Sequence, residues 1–393
     1  MVADIILVGP KRHIAERAWQ LGARPFIVQP QDQAEDWVQR QTERTLVIDY
    51  NDPVLIPMLA AAHSRIHFRC AITTTELGLL PCARINEALD LPGTPVAVVE
   101  RTRNKQSMRE ALAARGFSVI QWAAVTTKQD AIAFAARNDY PFVLKPLDGV
   151  GSIGVKKIRS AADLERTFDG KTPWLAEEYL DGNEYSIESF SFGGRHIILA
   201  INQEMNNTDP SGNEFLELTH KIPAPMSKEQ DHEIRAFIRG FLDAIGVQDG
   251  PAHTELKYTS RGPRIIETHT RPGGDRLWDL VRLTTGFDLV DMTLQWALGT
   301  LSPLTEDPEP RGAAVIHYFT PPPGKLRRVH GVQALKRIPG VVDIALLVDL
   351  GDQIRPLTQS DDRAGYVIAY ADTVDKALEI CKEVSGRLVL ETR

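Results

Sequence analysis

Residues 253–257 read His-Thr-Glu-Leu-Lys, and residues 264–275 read Arg-Ile-Ile-Glu-Thr-His-Thr-Arg-Pro-Gly-Gly-Asp. Polar and apolar residues alternate on both sides of the Gly262-Pro263 turn, and this pattern predicts a β-hairpin. The hairpin would carry Glu255 and Glu267 to one rim of a sheet, where the two carboxylates repel each other unless a cation lies between them. Carboxylate oxygens are hard ligands that suit Mg²⁺. The alternative is a pair of solvated strand glutamates, which is the usual state of charged side chains.

The length and composition limit the class of protein. A chain of 393 residues exceeds what one hydrophobic core usually supports, so two or three domains are expected. The hydrophobic content of 43% and the charged content of 25% are typical of a globular protein. The net charge of -7 argues against a nucleic-acid partner, which would require a basic face.

The cysteines and the N-terminal residues indicate a compartment. Cys70, Cys82 and Cys381 are far apart and odd in number, which suits a reducing environment better than a disulfide framework. The apolar run at residues 5–8 is too short for a signal peptide or a membrane span. A cytoplasmic location with no membrane partner is therefore expected.

Hydrophobic patterning divides the chain into three predicted domains. Residues 1–95 show a strand-helix-strand rhythm that predicts a parallel sheet, and the Pro- and Gly-rich residues 91–95 end it. The second domain covers residues 96–300, with a small lobe at about 118–182 that opens with a predicted strand at 118–123. The third covers residues 301–393, which follow a Pro- and acid-rich linker and alternate strands with a helix. Within the second domain, Ser227 begins a long amphipathic helix.

A lysine followed by a glycine loop is the next feature with chemistry. Lys145 ends a predicted strand, and Gly149, Gly151 and Gly154 follow it around Ser152. Glycines let backbone N–H groups approach a polyphosphate, and the lysine supplies a positive charge. An ordinary hairpin loop is equally compatible with this stretch alone. Lys105 would be a second phosphate contact, although a solvated lysine is the better interpretation of that residue in isolation.

Acidic residues 177–184 form the third feature. Glu177 and Glu178 precede Tyr179 and Leu180 at a predicted strand edge, and the backbone there can read the edge of an adenine base. Glu184 can hold ribose hydroxyls. Taken alone, this segment is better interpreted as a surface strand with solvated acids.

Taken together in their order along the chain, the three features resemble the ATP-grasp superfamily, and the resemblance covers most of the chain. It implies an α/β and α+β fold: an N-terminal parallel-sheet pre-grasp domain, a two-lobed nucleotide grasp and a small C-terminal α+β lid. It implies ATP with two Mg²⁺ ions, for which Mn²⁺ can substitute. The implied nucleotide contacts are Lys105, Lys145, Ser152, Glu177, Glu178, Leu180 and Glu184.

The resemblance also implies a metal site and a reaction. Glu255 and Glu267 would bridge the metal, but the family usually has asparagine where His269 stands. Imidazole prefers softer metals than Mg²⁺, so His269 either ligates the metal or packs beside it. ATP-grasp enzymes activate a carboxylate as an acylphosphate, with Lys145 at the phosphates and Arg271 stabilising the oxyanion as an amine attacks.

Residues 215–225 and the Arg-Pro-Gly-Gly-Asp run look like the L-amino-acid ligase branch of the superfamily. Enzymes of that branch join two amino acids, or an amino acid and another carboxylic acid. The resemblance to them also suggests that this chain forms a homodimer. Glu217 would then recognise an ammonium group, His220 would orient a substrate or assist deprotonation, and Gly273 and Gly274 would offer backbone N–H groups. Alternatively, the two loops that carry these residues only support the fold. Two other functions also stay open for the chain: a purine-pathway enzyme that activates formate or bicarbonate, and a non-catalytic nucleotide-binding module.

Overall fold

The N-terminal part of the chain forms a parallel sheet covered by helices. The computed structural model describes residues 3–34, 36–39, 42–117, 119–147, 152–168, 173–208 and 213–393. The first elements are β1 (Ala3–Val8), α1 (Arg12–Gln20), β2 (Ala23–Gln29), α2 (Asp36–Gln39), β3 (Thr45–Val47), α3 (Leu55–Ile66), β4 (Ala71–Ile72) and α4 (Leu79–Ala88). All strand pairs in the order β3-β2-β1-β4 are parallel, which confirms the predicted sheet. Alternate residues of β1 are buried in two different clusters, one on each face of the sheet.

A small antiparallel lobe comes next. Two helices lead into it, and it contains four strands and two further helices: α5 (Val96–Arg103), α6 (Lys105–Ala113), β5 (Trp122–Val125), α7 (Lys128–Asn138), β6 (Phe142–Pro146), β7 (Lys156–Ile158), α8 (Ala161–Thr167) and β8 (Trp174–Glu178). The strand order is β5-β8-β6-β7. The strand predicted at 118–123 is largely wrong, because pairing with β8 starts at Trp122 and Val119 is exposed. Ser118 lies outside the described residues.

The large lobe is built on long antiparallel strands. Its elements are β9 (Asn183–Phe192), β10 (Arg195–Asn206), β11 (Glu217–Ile222), α9 (Lys228–Ile245), β12 (Gly250–Thr259), β13 (Gly262–His269), α10 (Leu277–Thr285) and α11 (Leu289–Leu298). The predicted hairpin is confirmed as β12 and β13, but its turn lies at residues 260–261, because Gly262 and Pro263, the predicted turn, already pair within β13. Ser227 caps α9 together with Gln230, as the sequence predicts, and Ile238 and Phe241 of that helix are fully buried.

The C-terminal segment shares the sheet of the large lobe. Its elements are β14 (Ala313–Phe319), β15 (Gly324–His330), α12 (Val332–Leu335), β16 (Val341–Leu346), β17 (Gln353–Ile354), β18 (Gly365–Ala371), α13 (Val374–Arg387) and β19 (Val389–Thr392). The eight-stranded order β13-β12-β9-β10-β11-β14-β18-β16 shows that three of these strands extend one edge. The residues predicted as a lid therefore continue the central sheet.

Helix α11 joins the large lobe to the N-terminal sheet. Its buried residues Val290, Leu294 and Ala297 lie in one hydrophobic cluster with Ile5 and Leu7 of β1. This packing brings the loop after β4 beside the end of β13. Among the described residues, no helix is both long and apolar enough to cross a membrane.

Candidate functional site

Two clefts meet at the hairpin of β12 and β13. The first encloses about 770 Å³ of empty space, part of which is open to solvent. Its lining includes seven residues that the sequence assigned to nucleotide binding, together with two of the three predicted metal ligands: Lys105, Lys145, Ser152, Glu177, Glu178, Leu180, Glu184, Glu255 and Glu267. The fold thus brings together side chains that are up to about 160 residues apart. The roles of these residues stay predictions.

Glu177 holds two buried cations. Its carboxylate lies 2.7 Å from Lys145 Nζ and 2.6 Å from Arg109 Nε, and all three side chains are buried. Burial by itself would raise the pKa of Glu177, but Arg109 and then Lys145 outweigh it and hold the pKa at about 2. The Glu177 carboxylate therefore positions Lys145, and only the backbone of Glu177 remains available to an adenine base.

Glu178 is also engaged through its side chain. One carboxylate oxygen accepts a hydrogen bond from the Gln121 N–H at 2.9 Å, and the other pairs with Arg261 at 2.6 Å. Leu180 is buried at the wall of the first cleft. Because these side chains already have partners, the backbone of residues 177–180 is the part of the predicted adenine site that can contact a ligand.

Glu184 and Ser152 both line the first cleft. Glu184 accepts a hydrogen bond from Asn206 Nδ2 at 3.1 Å and lies 3.5 Å from Lys257 Nζ. Ser152 Oγ donates to the Phe215 carbonyl at 2.9 Å. The preceding residues 148–151, which carry most of the predicted glycine loop, lie outside the described residues.

Glu255 and Glu267 face each other across the hairpin. They are register partners in β12 and β13, and a β-bulge follows Glu255. Lys105 Nζ lies 2.7 Å from Glu267 Oε2. Burial opposes ionisation of Glu267, but Lys105 and then His269 outweigh it and hold its pKa well below the usual range. The two carboxylates at the junction of the clefts are suitable ligands for Mg²⁺ or Mn²⁺.

A buried histidine, itself held by a second glutamate, contacts Glu255. His253 Nδ1 lies 2.5 Å from Glu188 Oε1, and its Nε2 lies 3.2 Å from Glu255 Oε1. Burial would lower the pKa of His253, but Glu188 raises it well above the usual value. His253 is therefore an imidazolium that fixes the orientation of Glu255.

His269 has a carboxylate beside each ring nitrogen. Its Nε2 lies 3.1 Å from Glu267 Oε1, and its Nδ1 lies 2.9 Å from Glu76 Oε2. Burial opposes protonation, but Glu267 and then Glu76 outweigh it and raise the pKa of His269. An imidazolium has no lone pair for a metal, so the ligand role stays a prediction that requires loss of a proton.

Glu76 is a site residue that the sequence reasoning missed. It lies in the loop after β4, and its Oε2 accepts a hydrogen bond from Arg271 Nε at 2.9 Å. Arg103 Nε lies 3.4 Å from its Oε1. Burial alone would raise the pKa of Glu76, but His269 and then Arg271 hold it at about 2. The N-terminal domain thus helps to position the predicted oxyanion-stabilising arginine.

We expect Glu76 to make stability depend on acid pH. Its pKa is about 2 in the folded protein against 4.5 for an ordinary glutamate, so its stabilisation is complete above pH 4.5 and is lost as the pH falls towards 2. The shift corresponds to about 3 kcal/mol. Urea unfolding at stepped pH should show the free-energy difference between wild type and Glu76→Gln shrinking over that interval. A difference that stays constant over this interval would contradict the ion-pair role.

The second cleft adjoins the first at Glu255 and Glu267 and is lined by acidic residues. It contains the predicted substrate residues Glu217, His220, Arg271 and Gly274, and residues 359–361 of the C-terminal segment close one side. Asp275 forms a two-pronged pair with Arg363, at 2.7 and 2.6 Å. Burial opposes ionisation of Asp275, but His220 and Arg363 hold its pKa well below the usual range.

His220 is placed to orient its neighbours. Its Nε2 lies 3.3 Å from Asp275 Oδ2, and its Nδ1 lies 3.0 Å from Asn202 Nδ2. Both ring nitrogens therefore have partners, and the side chain is buried. This geometry favours the predicted orienting role over proton transfer.

The predicted substrate role of Gly273 needs correction. Its N–H donates to Glu188 Oε2 at 3.1 Å and is buried, so it does not face the second cleft. A Cβ at this position would lie 2.2 Å from Glu188 Oε1 and 2.8 Å from His253 Nδ1. Glycine is thus required for packing, whereas Gly274 lines the cleft.

We expect Gly273→Ala to disturb this packing and Gly274→Ala to be tolerated. A Cβ at 273 must displace Glu188 or His253, and overpacking of this kind costs about 1–3 kcal/mol. A Cβ at 274 meets no atom of the described residues within 4 Å. Chemical denaturation of both variants measures the difference. Equal stabilities would show that the Glu188–His253 pair moves without cost.

Three domain families match the chain. They are described as an ATP-grasp N-terminal domain at residues 15–93, an ATP-grasp domain at 138–278 and an L-amino acid ligase C-terminal domain 2 at 317–393. The two ATP-grasp matches include every predicted metal ligand and most of the nucleotide residues.

Individual proteins give the same pattern. Protein y4rH of Sinorhizobium fredii is 29% identical over 93% of this chain and 77% of its own length. The alanine–anticapsin ligase of Bacillus subtilis is also 29% identical, over 57% of this chain, and the match spans about half (53%) of that ligase. The crystal structure of an L-amino acid ligase from Bacillus licheniformis superposes with a TM-score of 0.84, covering 100% of this chain and 99% of that one, at 23% identity. That likeness establishes the shared fold.

Proposed function

The chain belongs to the ATP-grasp superfamily, and from that premise we propose that it is an ATP-dependent ligase joining an amino acid to a second amino acid or another carboxylic acid. The observation that carries the proposal is the junction of the two clefts. Glu255 and Glu267 line both, so a phosphate in the first cleft and a carboxylate in the second would meet at one metal-binding edge.

The reaction has two steps. A carboxylate oxygen of one substrate attacks the γ-phosphorus of ATP, the bond to ADP breaks, and an acylphosphate forms. The amine nitrogen of the second substrate then attacks the acyl carbon, phosphate leaves, and the nitrogen loses a proton. Mg²⁺ at Glu255 and Glu267 would supply charge neutralisation on the phosphoryl oxygens.

The side chains have separate tasks in this scheme. Lys105 and Lys145, each held by a glutamate, point their charge into the first cleft, where phosphates would lie. Arg271, held by Glu76, lines the second cleft, where the tetrahedral oxyanion would form. The glutamate partners hold the two lysines and the arginine in place before the reaction. These side chains therefore need little reorganisation when negative charge develops in the transition state.

The charge of the second cleft favours an amino-acid substrate over a phosphorylated one. Carboxylates outnumber cationic side chains in its lining: Glu204, Glu217, Glu255, Glu267, Asp275 and Asp361 against Arg271, His253 and His269. Arg276 and Arg282 pair with Asp279 on α10 instead. An ammonium group is attracted to such a cleft, and a ribonucleotide phosphate is repelled. Glu217 is the proposed ammonium contact.

The test is to incubate the purified protein with Mg²⁺-ATP and a matrix of amino-acid pairs, following ADP release and product mass. ADP released only with certain pairs, with a product mass equal to both acids minus water, is the expected result. Turnover restored only by formate or bicarbonate with a ribonucleotide amine would move the chain to the purine branch. ATP binding without turnover in either assay would contradict the ligase proposal.

A further inference from the structure

Asn213, in the loop before β11, forms hydrogen bonds to three separate parts of the chain. Its side-chain Nδ2 donates to the Ser152 carbonyl at 3.3 Å and to the Thr358 carbonyl at 3.2 Å. Its backbone N–H donates to the Leu357 carbonyl at 3.1 Å. Its Oδ1 accepts from the Phe215 N–H at 3.0 Å, within its own loop. Asn213 therefore joins Ser152, in the wall of the first cleft, to the C-terminal segment.

The donor half of the Asn213 amide is not needed for a local turn. Asparagine commonly closes a turn by accepting from the N–H two residues later, and the contact to Phe215 is of that kind. The Nδ2 atom instead donates to carbonyls that are 61 and 145 positions away in the sequence. These two contacts, to Ser152 and Thr358, form a link between distant segments that we call the Asn213 bridge.

Ser152 is fixed at one end of the Asn213 bridge. Its Oγ donates to the Phe215 carbonyl at 2.9 Å, and its own carbonyl accepts from Asn213. Its φ of 58° is left-handed, a conformation that a residue other than glycine keeps only where its surroundings hold it. Ser152 lines both clefts, so a nucleotide that contacts this residue acts on a group already bonded to Asn213.

The other end of the bridge holds a turn formed by residues 358–362. Asp362 Oδ2 accepts from the Thr358 N–H at 3.0 Å, from the Thr358 Oγ1 at 2.8 Å and from the Gln359 N–H at 3.0 Å. Residues 359–361 of this turn line the second cleft. Because the turn is braced by its own hydrogen bonds, a contact that holds Thr358 also holds one wall of the second cleft.

We propose that Asn213 is a positioning residue that couples the two clefts. A nucleotide that contacts Ser152 stabilises the Asn213 bridge, and the bridge holds the 358–362 turn against the second cleft. The effect is reciprocal, so an amino acid bound against the turn strengthens nucleotide binding by the same factor. Closure of the second cleft when ATP is in place excludes water from an acylphosphate. The identities of the two ligands rest on the proposed function.

Hydrogen–deuterium exchange of the intact protein, with and without saturating Mg²⁺ and the non-hydrolysable ATP analogue AMP-PNP, tests the coupling. We expect the analogue to slow exchange in peptides spanning residues 357–362 by at least about fivefold, the lower end of the usual coupling between two sites. Direct contact does not account for this protection, because the described lining of the first cleft contains none of these residues. Peptides spanning residues 177–180 report binding of the analogue itself.

Asn213→Asp separates the bridge from the local turn. Aspartate keeps an oxygen that accepts from the Phe215 N–H, but it places a carboxylate oxygen where Nδ2 donates to two carbonyls. The protection of residues 357–362 should fall below about twofold, while residues 177–180 stay protected. Asn213→Ser, whose hydroxyl can also accept from Phe215, provides the test if Asn213→Asp does not fold.

Glu214→Gln is the control from the same loop. It removes the charge that pairs with the exposed Arg159 at 2.5 Å, and the protection of residues 357–362 should persist. Unchanged exchange at 357–362 with protection at 177–180 would show that the clefts are independent. Protection retained at 357–362 in Asn213→Asp would exclude the bridge as the coupling element. Both results leave the proposed function standing, whereas lack of protection at 177–180 in wild type would overturn nucleotide binding and with it both proposals.

Discussion

Glu267→Gln should lower ADP release with any productive substrate pair by a factor on the order of 10³, while the protein stays folded. Glutamine keeps the shape of the side chain but removes the charge that faces Glu255 and Lys105. The metal then loses a ligand, and the lysine loses the carboxylate that aims it into the first cleft. Both losses act on charge in the transition state, so turnover should fall more than ATP affinity.

Steady-state ADP release and a separate ATP-binding titration measure the two effects. Glu379→Gln is the control for the same chemical change on the surface, and it should behave as wild type. Circular dichroism and thermal unfolding show whether Glu267→Gln retains the fold. Turnover within tenfold of wild type would exclude Glu267 as an essential metal ligand.

Glu177→Gln should destabilise the protein by about 3–5 kcal/mol, because it leaves two buried cations without their shared carboxylate. The Arg109 side chain is 1% exposed and that of Lys145 is 5% exposed. Neither can turn to water without opening the interface between α6 and the small lobe. The free energy of unfolding in urea measures this loss directly.

Glu178→Gln is the matched control. The neighbouring residue bears the same charge, but its partner Arg261 is 52% exposed and can be solvated. A change within about 1 kcal/mol is expected there. If the two variants lost equal stability, the Glu177 network would contribute no more than a surface ion pair.

Local patterns in the sequence predicted the elements that carry the site. The hairpin follows from the alternation of polar and apolar residues around one turn. The start of α9 follows from a capping box of residues three apart. Each of these features depends on neighbours in the chain, so a sequence displays them.

Contacts between distant residues could not be predicted in this way. Glu76 meets Arg271 across 195 positions, and Glu188 takes the N–H of Gly273 across 85. The Thr-Thr-Thr-Glu loop that carries Glu76 resembles any polar turn. Gly273 was predicted to bind substrate because a glycine can offer its backbone N–H to a ligand. The sequence does not show which side chain accepts a hydrogen bond from that N–H.

The shared sheet has a consequence for how the chain is made. Strand β11 pairs with β14 through Ile222 and Ala314, so its outer edge stays open until residues 313–319 leave the ribosome. At elongation rates of about 5–20 residues per second this interval is on the order of ten seconds. During that time the nascent chain presents unpaired backbone N–H and C=O groups beside apolar side chains, a surface prone to aggregation and suited to chaperones. Folding of the large lobe is therefore tied to translation of the segment that follows it.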